Sequence, residues 1–274
     1  ANSEAENKNI TLKTVSEIFM KNYEILEIAL RQSAYECNCE PTDFMKDTNV
    51  VVRSKAHPKA RCYLSLPLEC NLVSYGSNIV AQTSSQLTDL VTSYIEKYPI
   101  EHCFETPNMH VLNEGLKKHD LKICFMAEYF LPDMDKLQKL PCEYQVKILH
   151  NDDFKDLYTK EWSNALCEKR KEKDVLGVGA YDDGRLIALA GCSADCETMW
   201  QIGIDVLPPY RKKGIAAALT SQLALLILEQ GKVPFYCAAW SNIKSVRNAI
   251  KCGFKPAWVE MTAKSCKFAD EMNQ

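Results

Sequence analysis

One stretch of the sequence constrains the fold more than any other, because residues 199–231 combine a strand pattern, a basic loop and a helix pattern. Met199–Val206 is apolar enough for a strand, and Ala217–Leu228 is a long apolar run. The loop between them runs Leu-Pro-Pro-Tyr-Arg-Lys-Lys-Gly-Ile-Ala over residues 207–216. This order of strand, tight loop and helix predicts an α/β fold in which unpaired N–H groups open the helix beside the strand end.

The loop has the composition of an anion site. A helix N-terminus carries roughly half a positive charge, and the run Arg211–Lys213 adds three side-chain cations. Gly214 and the small Ala216 let a phosphate approach the main chain, where a larger side chain would stand in the way. We therefore predict that a pyrophosphate binds here. The alternative for this pattern alone is a surface loop whose basic residues are only solvated.

A second pattern follows the helix. Lys232–Ala239 is a strand candidate, and Asn242–Gly253 reads as an Asn-x-x-Ser start, a short helix and a Gly-Phe end. Two patterns in this order make the solvated-loop alternative less favourable.

Together the two patterns resemble the acyl-CoA site of the GNAT superfamily of N-acetyltransferases. The matching positions are Arg211, Gly214 and Ala216 in the loop, and Asn242 and Ser245 at the second helix. The resemblance covers residues 144–264. It implies a GNAT fold, in which a mixed sheet opens between its fourth and fifth strands to hold the pantetheine arm of acetyl-CoA. It also implies acyl transfer to an amine.

The resemblance implies a set of cofactor contacts. In chain order they are Val206, Leu207, Arg211, Lys212, Lys213, Gly214, Ile215, Ala216, Asn242 and Ser245. Val206 and Leu207 are expected to offer main-chain N–H groups, and one such donor to a developing oxyanion is typically worth ~3 kcal/mol. The family's usual tyrosine acid, seven residues after the asparagine, is Ala249 here. Ser245, Asn248, Tyr236, a water or an unassisted thiolate remain as alternatives.

A base is also expected, because an alkylammonium has a pKa of about 10.4 and must lose a proton before it attacks. Asp205, Glu161 and Glu197 are the candidate carboxylates. Asp205 lies beside the expected opening, although strand alternation turns it away from the face of its neighbours. Each of the three has the alternative of a surface or capping acid.

The first half of the chain echoes the second. Residues 98–128 follow the order strand, Asn-led helix, turn and strand predicted for 233–260. No Arg-x-x-Gly precedes the helix predicted after Ser84, so the anion loop has no counterpart there. We predict two domains. Residues 1–140 would form a helical plus degenerate GNAT-like domain, and residues 141–274 the catalytic acetyl-CoA-binding domain, joined by a proline-punctuated connection.

Other patterns predict further elements. The apolar spacing of Ile10–Glu36 indicates one or two amphipathic helices, and Cys62–Leu68 has β character. Asp152–Tyr158 and Glu161–Lys171 are predicted helices, and Asp182–Gly184 is a hairpin turn between two apolar strands.

Composition limits the partners. A net charge of -3 argues against a nucleic-acid surface. The chain has 13 cysteines without a Cys-x-x-Cys pair, which favours free buried thiols over disulfides or a metal site. No apolar run is long enough for a membrane span and no secretory pattern is present, so we expect a cytoplasmic protein without a membrane partner.

The sequence thus predicts an acetyl-CoA-dependent N-acetyltransferase that acts on the amine of a small molecule or peptide and uses no metal. A homodimer is possible. One alternative is a CoA-binding regulatory protein with weak catalysis, which the missing tyrosine favours. Another is a tandem-GNAT transferase for a tRNA-borne or thiol-metabolite substrate, which the missing basic excess disfavours.

Overall fold

The computed structural model describes residues 20–273. Its helices are α1 (Asn22–Cys37), α2 (Thr88–Lys97), α3 (Ile100–Cys103), α4 (Thr106–Lys117), α5 (Ile215–Glu229), α6 (Ile243–Lys251) and α7 (Cys266–Glu271). Its strands are β1 (Val50–Arg53), β2 (Cys70–Ser74), β3 (Val80–Thr83), β4 (Leu121–Pro132), β5 (Gln145–His150), β6 (Asp174–Asp182), β7 (Arg185–Ser193), β8 (Met199–Val206), β9 (Val233–Ala238) and β10 (Phe254–Ser265). The first part of the helical prediction over Ile10–Glu36 lies outside the described residues.

All ten strands belong to one mixed sheet in the order β1-β3-β2-β10-β4-β9-β8-β7-β6-β5. The pairs β1–β3 and β8–β9 are parallel, and the other neighbours are antiparallel. The predicted mixed α/β fold is confirmed. The hairpin predicted at Asp182–Gly184 is also confirmed, because it joins β6 to β7 with Gly184 at φ +80°.

The sheet has two differently covered faces. On the face that we call the α5 face, Phe130 packs against Tyr236, whose hydroxyl contacts α6. On the opposite face, the α1 face, Tyr129 stacks on Trp258, and Tyr75 beside them is hydrogen-bonded to α1. Alternation of side chains along β4 therefore sends successive residues to two separate packing layers.

The long apolar run is fully buried as a helix. Every residue from Ala217 to Leu228 of α5 is buried, because the helix packs on β6, β7 and β8 and is covered by α6. The connection between the halves adds a further contact, in which the Leu140 N–H donates to Ser221 Oγ at 3.1 Å. A helix that is apolar all round is typical of such a position.

Four predicted elements differ from the structure. Cys62–Leu68 is an irregular loop rather than a strand; its Cys62 N–H donates to the carbonyl of Asp195, which holds the loop over the α1 face. The predicted strand at residues 98–104 contains α3 instead, with Pro99 at its N-cap. The helices predicted within residues 152–171 are short 3-10 turns.

The reason for the short turns lies in two glycines of the sheet. A Cβ on Gly203 would stand 1.8 Å from the carbonyl oxygen of Asn164, and one on Gly191 would stand 2.2 Å from that of Ala165. The turn at residues 164–165 thus lies with its backbone directly on β7 and β8. A longer helix would have kept its backbone farther from the sheet, because side chains would intervene.

The sheet continues across the predicted domain boundary at residue 140. β10, from the C-terminal half, lies between β2 and β4 of the N-terminal half. The division into 1–140 and 141–274, and the origin of the first part as a degenerate copy, stay predictions.

Candidate functional site

A gap opens in the middle of the sheet between β8 and β9. The last register pair of these parallel strands joins Gln201 to Phe235. β8 then continues along β7 to Val206, while β9 continues along β4 to Ala238. No register pair joins these described continuations, so main-chain groups on both sides lack a sheet partner. This β8–β9 gap has the position that the resemblance implied.

Hydrogen bonds on either side show which main-chain groups face the gap. The N–H of Leu207 donates to a carbonyl of β7 at 2.9 Å, and Val233 donates to the carbonyl of Thr198 at 2.9 Å. Alternation along the strand therefore turns the N–H groups of Ile204 and Val206 toward the gap. The expected N–H donation by Leu207 is thus not available, and Ile204 supplies a donor that the sequence did not reveal.

The basic loop ends at the N-terminus of α5 beside this gap. Gly214 is the N-cap residue with φ +81°, and Lys212 also has a positive φ of +65°. Within residues 20–273, the N–H groups of residues 212–217 donate no hydrogen bond. A Cβ on Gly214 would meet its nearest neighbour, Lys251 Nζ, at 4.0 Å. The loop therefore presents free amides in open space, with a fourth cation nearby.

Two of the three loop cations are held in place. Arg211 Nε donates to the carbonyl of Val206 at 2.9 Å. Lys213 Nζ donates to the hydroxyl of Tyr144 at 3.1 Å and lies 5.4 Å from the ring centre of Tyr210. The hydrogen bond to Tyr144 raises the pKa of Lys213, which therefore stays charged. These contacts keep both cations beside the free amides.

The start of α6 carries the second set of expected contacts. Asn242 Oδ1 accepts a hydrogen bond from the N–H of Ser245 at 3.3 Å, so the asparagine is the N-cap. Ser245 Oγ lies 3.0 Å from the hydroxyl of Tyr236. Tyr236 is the first residue of β9 after the last β8–β9 register pair. Ala249 is fully buried. Burial raises the pKa of Tyr236, so its hydroxyl stays protonated.

The Asp205 carboxylate is hydrogen-bonded to the turn at residues 164–165. Its Oδ2 accepts from the N–H groups of Asn164 and Ala165 at 2.8 and 2.9 Å, and its Oδ1 accepts from Asn164 Nδ2 at 2.6 Å. Three donors from one turn satisfy both carboxylate oxygens. This arrangement favours anchoring of the turn over proton transfer.

Glu161 and Glu197 are both exposed and lie in different segments. Glu161 lies in a 3-10 turn, where hydrogen bonds from Thr159 and its own backbone lower its pKa. Glu197 lies in the bend before β8, and Asp205 lies near the other end of that strand. Glu197 precedes Met199, the first residue of β8, and six strand steps, roughly 20 Å, separate Met199 from Asp205. The three candidate bases therefore do not converge on one point.

A cavity of about 350 Å³ lies on the α1 face, lined by residues of α1, the loop after β1, and strands β2, β3, β4 and β10. We call the part of the cavity formed by the buried side chains of Glu36, Arg61 and Glu260 its inner end. There Arg61 NH2 donates to Glu36 Oε2 at 2.6 Å and to Glu260 Oε1 at 3.0 Å. Arg61 NH1 also donates to the Tyr63 hydroxyl at 2.8 Å, and that hydroxyl donates to Gln201 Oε1 at 3.3 Å. These hydrogen bonds connect the cavity to Gln201, the last residue of β8 that is paired with β9.

No sequence pattern indicated this cavity, because its residues come from distant segments. Glu36 belongs to α1, Arg61 and Tyr63 to the loop after β1, Tyr129 to β4 and Glu260 to β10. These residues come together only because the helix, loop and strands that carry them are neighbours in the folded protein.

Residues 88–257 match the family model for GNAT acetyltransferase. The match covers more than half of the chain, so the protein belongs to the GNAT acetyltransferase family. The matched segment begins with α2 and includes the β8–β9 gap, the basic loop and α6. The comparison with curated proteins found no match.

Several solved structures are similar at low identity. A putative GNAT acetyltransferase from Novosphingobium aromaticivorans is 18% identical over 53% of this chain and 66% of its own, with a TM-score of 0.43. A GCN5-related N-acetyltransferase-like protein from Streptococcus suis is 20% identical over 69% and 72%, with a TM-score of 0.42. A tandem GNAT protein from the clavulanic acid biosynthesis pathway is 12% identical over 59% of each chain, with a TM-score of 0.40.

Three further findings concern the described residues alone. Within residues 20–273, no three His, Cys, Asp or Glu side chains are grouped so that they could hold a metal ion. None of the helices in that range combines the length and apolar character that a membrane crossing needs. All 13 cysteines lie in this range as free thiols, of which six are buried, six are partly buried and Cys62 is exposed.

Proposed function

We propose that the protein is an acetyl-CoA-dependent N-acetyltransferase that acylates the amine of a small molecule or peptide in a ternary complex. The observation that supports this function best is the β8–β9 gap with free amides at the adjoining start of α5. Family membership supports the transferase class, and the gap supports direct attack across the sheet.

The residues of the basic loop fit a pyrophosphate. The free N–H groups of residues 212–217 would donate to phosphate oxygens, and Arg211, Lys213 and Lys251 would balance the charge. Acetyl-CoA supplies the acyl group as a thioester. Asn242 and Ser245 lie at the start of α6, beside the same gap.

The chain can also stabilise the charges that develop during transfer. The N–H groups of Ile204 and Val206 would donate to the thioester oxygen, at ~3 kcal/mol of barrier for one such donor. The Tyr236 hydroxyl, held by Ser245 and kept protonated by burial, would donate a hydrogen bond to the departing sulfur. This arrangement would take the place of the tyrosine that Ala249 replaces.

The pyrophosphate assignment is tested by calorimetric titration of acetyl-CoA into the protein and two variants. Gly214→Glu places a carboxylate among the free amides, so we expect the Kd to rise about 100-fold, since like charges brought together cost several kcal/mol. Gly231→Glu is the matched control, because Gly231 has φ +69°, has no atom within 4 Å and lies past the other end of α5. Unchanged affinity in Gly214→Glu would refute the assignment.

The second candidate function is a CoA-binding regulatory protein, which Ala249 favours. Release of free thiol from acetyl-CoA, measured with a panel of amines, separates the two. Acetyl-CoA binding with no acylated product across the panel would support the regulator. Product formation would support the transferase.

A further inference from the structure

We propose that the cavity on the α1 face binds an acceptor with two cationic groups, and that Glu260 is the counter-ion of the group that is not acylated. This inference rests on the proposed function, because it takes the other amine to meet the thioester in the β8–β9 gap. The predicted acceptor class is a compact diamine or an amine with a guanidinium group.

The charge at the inner end of the cavity is the first argument. The side chains of Arg61, Glu36 and Glu260 are 3%, 5% and 11% exposed. Among the described residues that line the cavity, these three leave one negative charge in excess at its inner end. A buried charge without a partner is costly, so this place favours a ligand cation.

Hydrogen bonding shows which carboxylate is open to a ligand. Glu36 Oε1 accepts from Gln32 Nε2, Arg61 N and Arg61 Nε at 2.9, 3.1 and 2.8 Å, and its Oε2 accepts from Arg61 NH2. Glu260 Oε1 accepts from Arg61 NH2 and from Trp258 Nε1. Within residues 20–273, Glu260 Oε2 has a single long contact, the Tyr129 hydroxyl at 3.4 Å. That oxygen can accept from a ligand ammonium.

The aromatic walls hold Arg61 in place. Tyr63 and Tyr129 line the cavity, and the Arg61 guanidinium lies 5.5 Å from each of their ring centres, so the rings fix the cation that Glu36 and Glu260 share. Burial raises the pKa of Tyr129, so its hydroxyl stays neutral beside Glu260. The second cation of the lining, Lys264, is partly exposed and lies four residues along β10 from Glu260, or about 13 Å. At that distance it does not neutralise the excess negative charge at Glu260.

The sheet order indicates that the group at Glu260 is not the group that reacts. β4 lies between β10, which carries Glu260, and β9, which borders the gap. Two strand spacings separate them, or about 10 Å. The attacking amine must be neutral and must reach the thioester carbon. An acceptor that also pairs with Glu260 therefore needs a second cationic group several ångströms away.

The step conserves atoms and charge. The ammonium in the gap first loses a proton to solvent, and its nitrogen then forms the bond to the acyl carbon while the carbon–sulfur bond breaks. After attack the nitrogen loses one more proton to become the neutral amide. The coenzyme A thiolate takes up a proton and leaves as the thiol. Glu260 takes no proton in this sequence, since it binds the remote ammonium throughout.

The test compares three probe series with chains of three to eight carbons: linear diamines, monoamines, and amino acids in which a carboxylate replaces the second amine. We expect kcat/KM to be about 10- to 100-fold higher for the best diamine than for its monoamine, as for a hydrogen bond to a charged group. Glu260→Gln should abolish this preference through KM and leave acetyl-CoA affinity unchanged. Glu128→Gln, on β4 but on the α5 face, is the matched control and should retain the preference.

The outcomes separate this inference from the proposed function. Absence of acetyl-CoA binding to the native protein would refute the proposed function itself. Binding of acetyl-CoA with equal use of monoamines and diamines, or a preference that survives in Glu260→Gln, would overturn the acceptor assignment alone. If no probe is acylated, titration of the diamines into the CoA complex decides. Glu260-dependent binding supports the assignment, and absence of binding overturns it.

Discussion

Asp205 anchors the turn at residues 164–165 on the sheet through three hydrogen bonds. Asp205→Ala leaves the two main-chain donors without an acceptor, so we expect the free energy of unfolding to fall by about 1–3 kcal/mol in urea titrations. Glu197→Ala, at an exposed bend, is the control and should stay within about 0.5 kcal/mol. A folded Asp205→Ala that binds acetyl-CoA normally but shows no turnover would instead support the role of a base.

The Glu128 carboxyl leads to a prediction about how the free energy of unfolding depends on pH. Burial raises the pKa of this half-buried carboxyl above its ordinary value. The folded state therefore holds its proton more tightly than the unfolded state, and the stability from this group is present at low pH and lost as pH rises through the folded-state pKa. Glu128→Gln cannot ionise. We expect the difference in unfolding free energy between variant and native protein to grow in favour of the variant from pH 4 to pH 7, whereas a constant difference would contradict this cause.

At the scale of elements, local sequence patterns predicted the parts of the site that are continuous in the chain. β8, the basic loop, α5 and the start of α6 follow from apolar runs, three cations and Gly214, because each of these patterns is short and local. The cavity around Arg61 was not predictable, since it depends on β10 lying beside β2 and β4. The pairing of β8 with β7 determines whether the N–H of Ile204 or that of Leu207 faces the gap. The side chains at these positions do not indicate this pairing, so the sequence could not predict it.

The contact between the 164–165 turn and the sheet leads to a prediction about Gly203. A Cβ there would lie 1.8 Å from a main-chain oxygen, so Gly203→Ala should displace the turn and cost about 1–3 kcal/mol of unfolding free energy. Gly115→Ala in α4 is the control, because its Cβ would meet the end of the flexible Leu90 side chain at 2.5 Å. Replacement of a helix glycine by alanine also raises the free energy of unfolding by about 1 kcal/mol, so we expect a smaller loss in this variant than in Gly203→Ala. Equal losses in urea titrations of the two variants would contradict a rigid backbone contact.

At the scale of the whole molecule, the order of strands joins the two halves more closely than the sequence suggests. The C-terminal β10 pairs with β4 along residues 121–132 and with β2 along residues 71–74. Its inward residue Glu260 completes the ion cluster formed by Glu36 and Arg61 of the first half. The candidate acceptor cavity therefore requires both halves, while the basic loop and α5 come from the second half alone.

This architecture predicts the behaviour of a chain divided at residue 140. Residues 141–274 alone would leave both edges of β10 and one edge of β9 without partners, and unpaired strand edges promote aggregation. The buried Trp258 and Met261 would also lose their packing partners on β4 and β2. We therefore expect that fragment to aggregate when produced alone.

Production of the same fragment together with residues 1–140 should restore a soluble complex, because the two pieces then supply all ten strands of the sheet. Size-exclusion chromatography and urea titration of the fragment, alone and with its complement, measure this difference. A monomeric 141–274 fragment that unfolds cooperatively and binds acetyl-CoA as the full chain does would instead establish an independent C-terminal domain. In that case the pairing of β10 with β2 and β4 would serve the candidate acceptor cavity and not the stability of the C-terminal half.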